Sequence, residues 1–293
     1  MEYIPRELER KFLQMSNFFK AVLVTGARQI GKTTMLKHLA QGQGRTYISL
    51  DNLSARDLAK RDPALFLQTY KPPIIIDEVQ FAPELLIQIK ILCDRSEQTG
   101  LFWLTSSQHY NSIKNVQESL AGRLGILKLY SLSPNEMEGI VFDNELDFSF
   151  TSLQTRQTVV SKNDVLRVFE HIWKGGMPQL LHADTEQRNE YYNAYVSTCL
   201  MRDAMEFGGI TDTLRFGRFL SACAAMISEQ VNYRTLADYS EIAQPTAKEW
   251  LRLLEGMGIV YLLHPYRNSA IKRLAKTPKL YFCDTGFAAN LSR

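Results

Sequence analysis

Residues Gly26-Ala27-Arg28-Gln29-Ile30-Gly31-Lys32-Thr33 fill the pattern G-x-x-x-x-G-K-[ST] without interruption, and no other stretch of the chain narrows its possible folds as far. The apolar run Ala21-Val22-Leu23-Val24 before it reads as a short buried strand, and Thr34-Met35-Leu36-Lys37-His38-Leu39 after it has helical periodicity. A strand, a glycine-rich turn and a helix start in that order make a cradle for phosphate. The glycines let backbone N–H groups close on an anion, and the helix directs its positive end at it. Lys32 adds a point charge near the β- and γ-phosphates of a nucleotide. Thr33 offers a hydroxyl suited to Mg²⁺, with Thr34 beside it in the first turn. The pattern therefore predicts that residues 26–34 bind a nucleoside triphosphate.

A chain of 293 residues, 45% hydrophobic and 22% charged, has material for more than one core and is not a disordered or fibrous sequence. Between residues 143 and 163, Ser, Thr and Gln interrupt short apolar pieces. This places a nucleotide domain over 1–142, a linker over 143–163 and a second, mainly helical region over 164–293. A formal net charge of +3 does not by itself select a nucleic-acid partner. Cys93, Cys199, Cys223 and Cys283 are far apart, with no C-x-x-C pair, and read as free thiols. Together with an N-terminus that lacks a basic-then-apolar leader, they predict a cytoplasmic location. No apolar run approaches the ~18 residues of a membrane span.

Pro72-Pro73-Ile74-Ile75-Ile76-Asp77-Glu78 is the second strong signal, an apolar strand ending on two acids as in a Walker B element. Asp77 is expected in the Mg²⁺ shell and Glu78 at the attacking water, as orienter or base. Arg45 to Asp51 reads as a further strand whose terminal Asp51 either approaches the site from the strand end or, the favoured reading, is a solvated turn residue, and residues 5–19 read as a structural helix. Leu101 to Gln108 is another apolar strand with a polar end. It resembles a sensor strand lying between the loop strand and the acid strand, with Thr105, Ser106 or Ser107 toward the γ-phosphate or water; Thr105 and Ser107 join the candidate site. Helix N-capping competes as the role of these hydroxyls. After Ser119-Leu120-Ala121-Gly122-Arg123, residues Ile126 to Leu129 supply a fifth strand. Arg123 has two readings, a surface arginine or a finger that reaches a phosphate held by a second copy in a homo-oligomer. A GTPase would show an Asn-Lys-x-Asp segment, which is absent. The acid pair favours hydrolysis over a small-molecule kinase.

In the second region, Asp164 to Trp173 is helical. Gly175-Gly176-Met177-Pro178 turns the chain, and Glu186 to Met205 predicts one long helix with a buried Tyr191, Tyr192, Tyr195 and Val196 stripe. Asn232 to Leu263 reads helix, tight turn, helix, strand, the order of a winged helix. Lys248 and Arg252 on its second helix are offset by Glu249 and Glu255. The stretch Arg267 to Lys279 carries five basic residues and no acid. It can grip duplex DNA as a wing, or serve as a solvated loop or protein contact.

Taken in order, Tyr3-Ile4-Pro5-Arg6, Gly26 to Thr34, Leu50-Asp51, Ile76-Asp77-Glu78-Val79-Gln80, Leu104 to Gln108, Ser119 to Arg123, Gly175 to Pro178 and Lys279 to Gly286 resemble prokaryotic AAA-type ATP-binding proteins with a C-terminal domain of unknown function. The resemblance implies an α/β, RecA-like core whose parallel sheet has an additional strand between the P-loop and Walker B strands, followed by a helical and winged-helix region. With the residues Lys32, Thr33, Asp77 and Glu78 in the roles given above, the leading expectation is Mg²⁺-dependent ATP binding and slow hydrolysis, with nucleotide state moving that region; the rival is a non-catalytic, nucleotide-stabilised module that binds DNA or protein. Two features depart from the family. Ser106-Ser107 stands where Gly-Ser is usual, and Arg293 comes before the nuclease-like domain that relatives carry, so no nuclease activity is expected.

Overall fold

A computed structural model describes residues 3–107, 120–142, 147–159, 164–266 and 277–293. The chain divides into two compact units, Met1–Lys162 and Asn163–Arg293.

The first unit is built on β1 (Ala21–Thr25), β2 (Thr46–Ser49), β3 (Ile74–Asp77), β4 (Phe102–Ser106) and β5 (Leu124–Lys128), all parallel, in the order β2-β3-β4-β1-β5. Every residue of β1, β3 and β4 is buried. That explains their unbroken apolar text: strands covered on both faces cannot alternate polar and apolar residues. The fourth strand in sequence inserts between the first and third, as the sensor-strand reading requires. Leu104 pairs in register with both Leu23 and Ile76. This register brings the C-terminal ends of β1, β3 and β4 to one edge of the sheet, the edge from which the phosphate loop leaves.

Helices flank the sheet. Leu8–Phe18 sets Phe12 edge-on against Trp103 at 4.8 Å, and its Ser16 hydroxyl accepts the Trp103 indole N–H at 2.8 Å. A buried indole thus keeps a partner. Leu85–Arg95 buries Leu85, Leu86, Ile89 and Cys93 on one helical face. Residues read as a linker include a helix, Phe150–Val159.

The second unit contains helices Val165–Lys174, Thr185–Ala194, Met201–Gly208, Thr213–Ala225, Tyr233–Ser240, Gln244–Gly256 and Thr285–Leu291, with an antiparallel pair, β6 (Val260–Leu263) and β7 (Lys279–Phe282). The long helix expected over 186–205 runs from Thr185 to Gly208 but passes through a π-helical segment at Tyr195–Leu200. There the Ser197 hydroxyl donates to Asn193 O at 3.1 Å and Thr198 to Ala194 O at 2.7 Å. These bonds compete with the regular backbone ladder.

Two motifs far apart in sequence form a single joint in this unit. Asp284 accepts from Gly176 N–H, the Tyr192 hydroxyl and Phe287 N–H, each at 2.8 Å. Burial, reinforced by the Asp284 charge, pushes the Tyr192 hydroxyl up, so it remains a donor at neutral pH. Arg188, buried, donates to Trp173 O at 2.7 Å and Gly286 O at 2.6 Å. A Cβ on Gly286 would lie 2.4 Å from Lys174 O and 2.5 Å from the Tyr192 hydroxyl. Gly175-Gly176 and Asp284-Thr285-Gly286 are therefore a packing solution whose polar groups serve one another.

Candidate nucleotide site

From Thr25, the end of β1, the chain turns through Gly26 (φ 142°), Gln29 (φ 64°) and Gly31 (φ 96°) into the helix Lys32–Leu39. Gly26 has no substitute, because a Cβ there would lie 2.2 Å from Leu129 O and 2.6 Å from Ile30 Cδ1. Ala27 and Ile30 are buried, Arg28 is partly exposed, and Gln29 and Thr34 are exposed. Lys32 is 5% exposed, and its ammonium donates to Gly26 O at 3.0 Å and Ala27 O at 2.7 Å.

Asp77 closes β3 and collects three hydroxyls. Its Oδ1 accepts from Thr33 at 2.6 Å and Thr105 at 2.5 Å, and its Oδ2 from Tyr47 at 3.2 Å. Thr33 comes from the phosphate loop, Thr105 from β4 and Tyr47 from β2, so this carboxylate ties three elements together. Burial, then the Asp77 charge, pushes the Tyr47 hydroxyl up to about 12, which leaves it protonated at neutral pH. Lys37 lies 3.6 Å above the Tyr47 ring.

Glu78 adopts the left-handed conformation, φ 57° and ψ 50°, and its N–H donates to Thr105 Oγ1 at 2.9 Å. Its Oε2 accepts from Ser107 N–H at 3.1 Å, from the Ser107 hydroxyl at 2.7 Å and from the Gln80 amide. Burial opposes ionisation of this carboxyl. The Lys32 charge and the Gln80 and Ser107 hydrogen bonds outweigh burial and hold it below the usual glutamate range. Asp51, two residues past β2, is raised by burial and then by the Glu78 charge. It is largely exposed and lies 3.8 Å from Arg56.

The edge thus gathers Gly26 to Thr33, Asp77, Glu78, Thr105 and Ser107. Arg123 is not among them. It precedes β5, its carbonyl accepts from Ala21 N–H at the start of β1, and it pairs with Asp94 at the opposite edge of the sheet. Three residues to which the sequence assigned no role also shape the site: Tyr47, Gln80 and Arg6, whose guanidinium donates to Ile30 O at 2.9 Å. Period-two alternation in β2 places Tyr47 beside Ser49 on one face, whereas Gln80 and Arg6 stood only within segments that carry the family resemblance.

The donor set fits Mg²⁺. A hydroxyl and a carboxylate 2.6 Å apart are hard oxygen ligands. Among the described residues no group of three or more His, Cys, Asp or Glu could hold a metal. Among the described residues, no helix is long and apolar enough to cross a membrane. Of the basic stretch 267–279, residues 267–276 lie outside the described residues.

Residues 18–138 match the family described as AAA domain, and residues 166–293 match a domain of unknown function (DUF8612). An uncharacterized protein of Mycobacterium tuberculosis is 27% identical over 273 residues, covering 92% of this chain and 55% of that protein. An uncharacterized Methanocaldococcus jannaschii protein is 24% identical over 295 residues, with 89% and 60% covered. The chain thus spans little more than half the length of these relatives. A Walker-type ATPase of Pyrococcus abyssi has the same fold, with a TM-score of 0.59 at 14% identity, over 99% of this chain and 96% of that one. The chain therefore joins an AAA-type P-loop ATPase fold at its N-terminus to a C-terminal domain of unknown function.

Proposed function

We propose that the N-terminal unit binds ATP with Mg²⁺ and hydrolyses it slowly, and that nucleotide state repositions the C-terminal region. The observation that carries this reading is the meeting of Thr33 with Asp77 at 2.6 Å, with Glu78 one residue further along the same strand end. The loop N–H groups and Lys32 would take the phosphates, and Thr33 and Asp77 would hold the metal. Bound Mg²⁺ supplies charge neutralisation on the phosphates. Glu78 is ionised, so it can take a proton from water as the water oxygen bonds to the γ-phosphorus and the bond to the bridging oxygen breaks. A carboxylate held below its usual pKa is a weaker base, which is consistent with slow turnover. Ser107, on the Glu78 carboxylate, and Thr105, on Asp77, transmit the state of the γ-phosphate to β4.

Arg123 faces away from its own loop, so its action as a finger requires a neighbouring copy of the chain. In the C-terminal region, the helices Tyr233–Ser240 and Gln244–Gly256 followed by β6 and β7 suit a winged helix, with 267–279 as its wing and duplex DNA as the candidate partner. Phosphate release should be measured for wild type, Lys32→Ala and Glu78→Gln over a range of protein concentrations, with and without duplex DNA. Lys32→Ala is expected to lower the rate by about 100-fold or more. Wild-type turnover no faster than that of Lys32→Ala in every condition would refute the enzyme reading. A rate that rises with concentration in wild type but not in Arg123→Ala supports the finger. DNA stimulation that collapses with salt supports the wing.

A further inference from the structure

We infer that Arg6 is a positioning residue of the phosphate loop: it fixes the orientation of the Ile30–Gly31 peptide, and Glu136 holds its guanidinium in place. The inference rests on the nucleotide-binding reading and adds a residue to it. Arg6 lies ahead of the first helix, 20 residues before the loop begins, yet its side chain is 5% exposed. Its three donor nitrogens reach three different segments. Nη1 donates to Ile30 O at 2.9 Å, Nη2 to Tyr130 O at 2.7 Å and Nε to Glu136 Oε1 at 3.1 Å. Glu136 is equally well held. Its Oε1 also accepts Glu7 N–H at 2.9 Å, and its Oε2 accepts Ser133 N–H at 2.8 Å in the capping box of Pro134–Met137.

The consequence follows from peptide geometry. A phosphate loop works by turning N–H groups toward the anion, and in a trans peptide the carbonyl and the next N–H point in opposite directions. Anchoring Ile30 O on Arg6 therefore aims Gly31 N–H away from Arg6. The anchor matters here because Gln29 and Gly31, on either side of Ile30, both have positive φ, at 64° and 96°, and a glycine leaves the peptide free to turn. The same guanidinium holds the far wall, since Tyr130 follows Leu129, whose N–H donates to Thr25 O at 2.8 Å and whose carbonyl abuts Gly26. The segment is also seated on the helix that leaves the loop, through the Tyr3 ring stacked on His38 at 3.8 Å. Lysine cannot replace this arrangement, because one ammonium does not reproduce a planar fork of donors aimed at three acceptors.

The test is the affinity of the full chain for a fluorescent ATP analogue with Mg²⁺, together with hydrogen exchange of the amides over 28–32 in nucleotide-free protein. Both are read well below the unfolding midpoint of each variant. Arg6→Lys is expected to weaken binding by about ten-fold and to speed exchange in the loop. A purely structural role would lower the midpoint and leave the affinity of folded protein alone. Glu136→Gln keeps the shape and is expected to weaken binding by about three-fold, so it serves if Arg6→Lys does not fold. Folded Arg6→Lys or Glu136→Gln binding as tightly as wild type overturns the inference and leaves the nucleotide reading intact. Wild type that does not bind the analogue overturns both.

Discussion

Thr105 offers the sharpest quantitative test of how the acid pair is held. Its side chain is fully buried, donates to Asp77 Oδ1 at 2.5 Å and accepts Glu78 N–H at 2.9 Å. Thr105→Val keeps the branched shape and removes both bonds. The orphaned Glu78 N–H costs about 1–3 kcal/mol, and loss of a hydrogen bond to a carboxylate about 1.5–3 kcal/mol. Offset by the extra methyl, the sum is about 3 kcal/mol. Thr105→Ser retains the hydroxyl and loses one methyl group, worth about 1 kcal/mol. The chain has three tryptophans, and replacing Trp173 and Trp250 with Phe leaves Trp103, on β4 beside Thr105, as the sole reporter. Urea unfolding followed at Trp103 then reads the N-terminal unit. With a slope of about 2 kcal/mol per molar, the midpoint of Thr105→Val falls by roughly 1.5 M and that of Thr105→Ser by roughly 0.5 M. Midpoints for the two variants within about 0.3 M of each other would show that the hydroxyl is not the clamp.

Glu78 is held below its ordinary value of 4.5, so its contribution to stability is complete above that pH and disappears as pH falls through its depressed native value. Glu78→Gln should therefore flatten the acid side of the stability profile of the N-terminal unit, and a profile parallel to wild type below pH 4.5 would contradict this. Burial pushes the Cys93 thiol up to about 11 and the Cys223 thiol higher still, whereas Cys199 and Cys283 are partly exposed. Under native conditions iodoacetamide should label Cys199 and Cys283 first, and mass spectrometry showing Cys93 or Cys223 labelled equally fast would refute this. Gly286→Ala must push both the Lys174 carbonyl and the Tyr192 hydroxyl aside, at a cost of about 3 kcal/mol to the C-terminal unit. A wild-type unfolding midpoint for that unit would mean the joint yields more easily than its contacts suggest.

What the sequence revealed and what it hid differ in the range of the interactions involved. The loop Gly26 to Thr33 and the pair Asp77-Glu78 were legible because each feature lies within a few residues of the strand that positions it. An apolar run followed by glycines, or by acids, states both the element and its end. The placement of β4 between β1 and β3 was not readable from its apolar run. It came from the resemblance, and the register of Leu104 with Leu23 and Ile76 bears it out. The π-helical segment escaped because the apolar stripe read from the sequence ends at Val196, where the segment has just begun, so no later stripe position recorded the shift in phase. The Ser197 and Thr198 hydroxyls that bond one turn back within it are a pattern that ordinary helices also tolerate.

Arg6 and Thr105 show a harder limit. The sequence offered Thr105 as one candidate among three hydroxyls and Arg6 only as part of a resembling segment, and for neither did it name the groups that the side chain holds. Their partners lie 24 to 130 residues away for Arg6 and 27 or 28 away for Thr105. No local pattern can carry that information, because it exists only once the parallel strands have brought their C-terminal ends together. The polar residues that hold this site are therefore found by asking which buried donors and acceptors each loop carbonyl and carboxylate requires. For Ile30 O that question leads to Arg6, and for Asp77 it leads to Thr33, Thr105 and Tyr47.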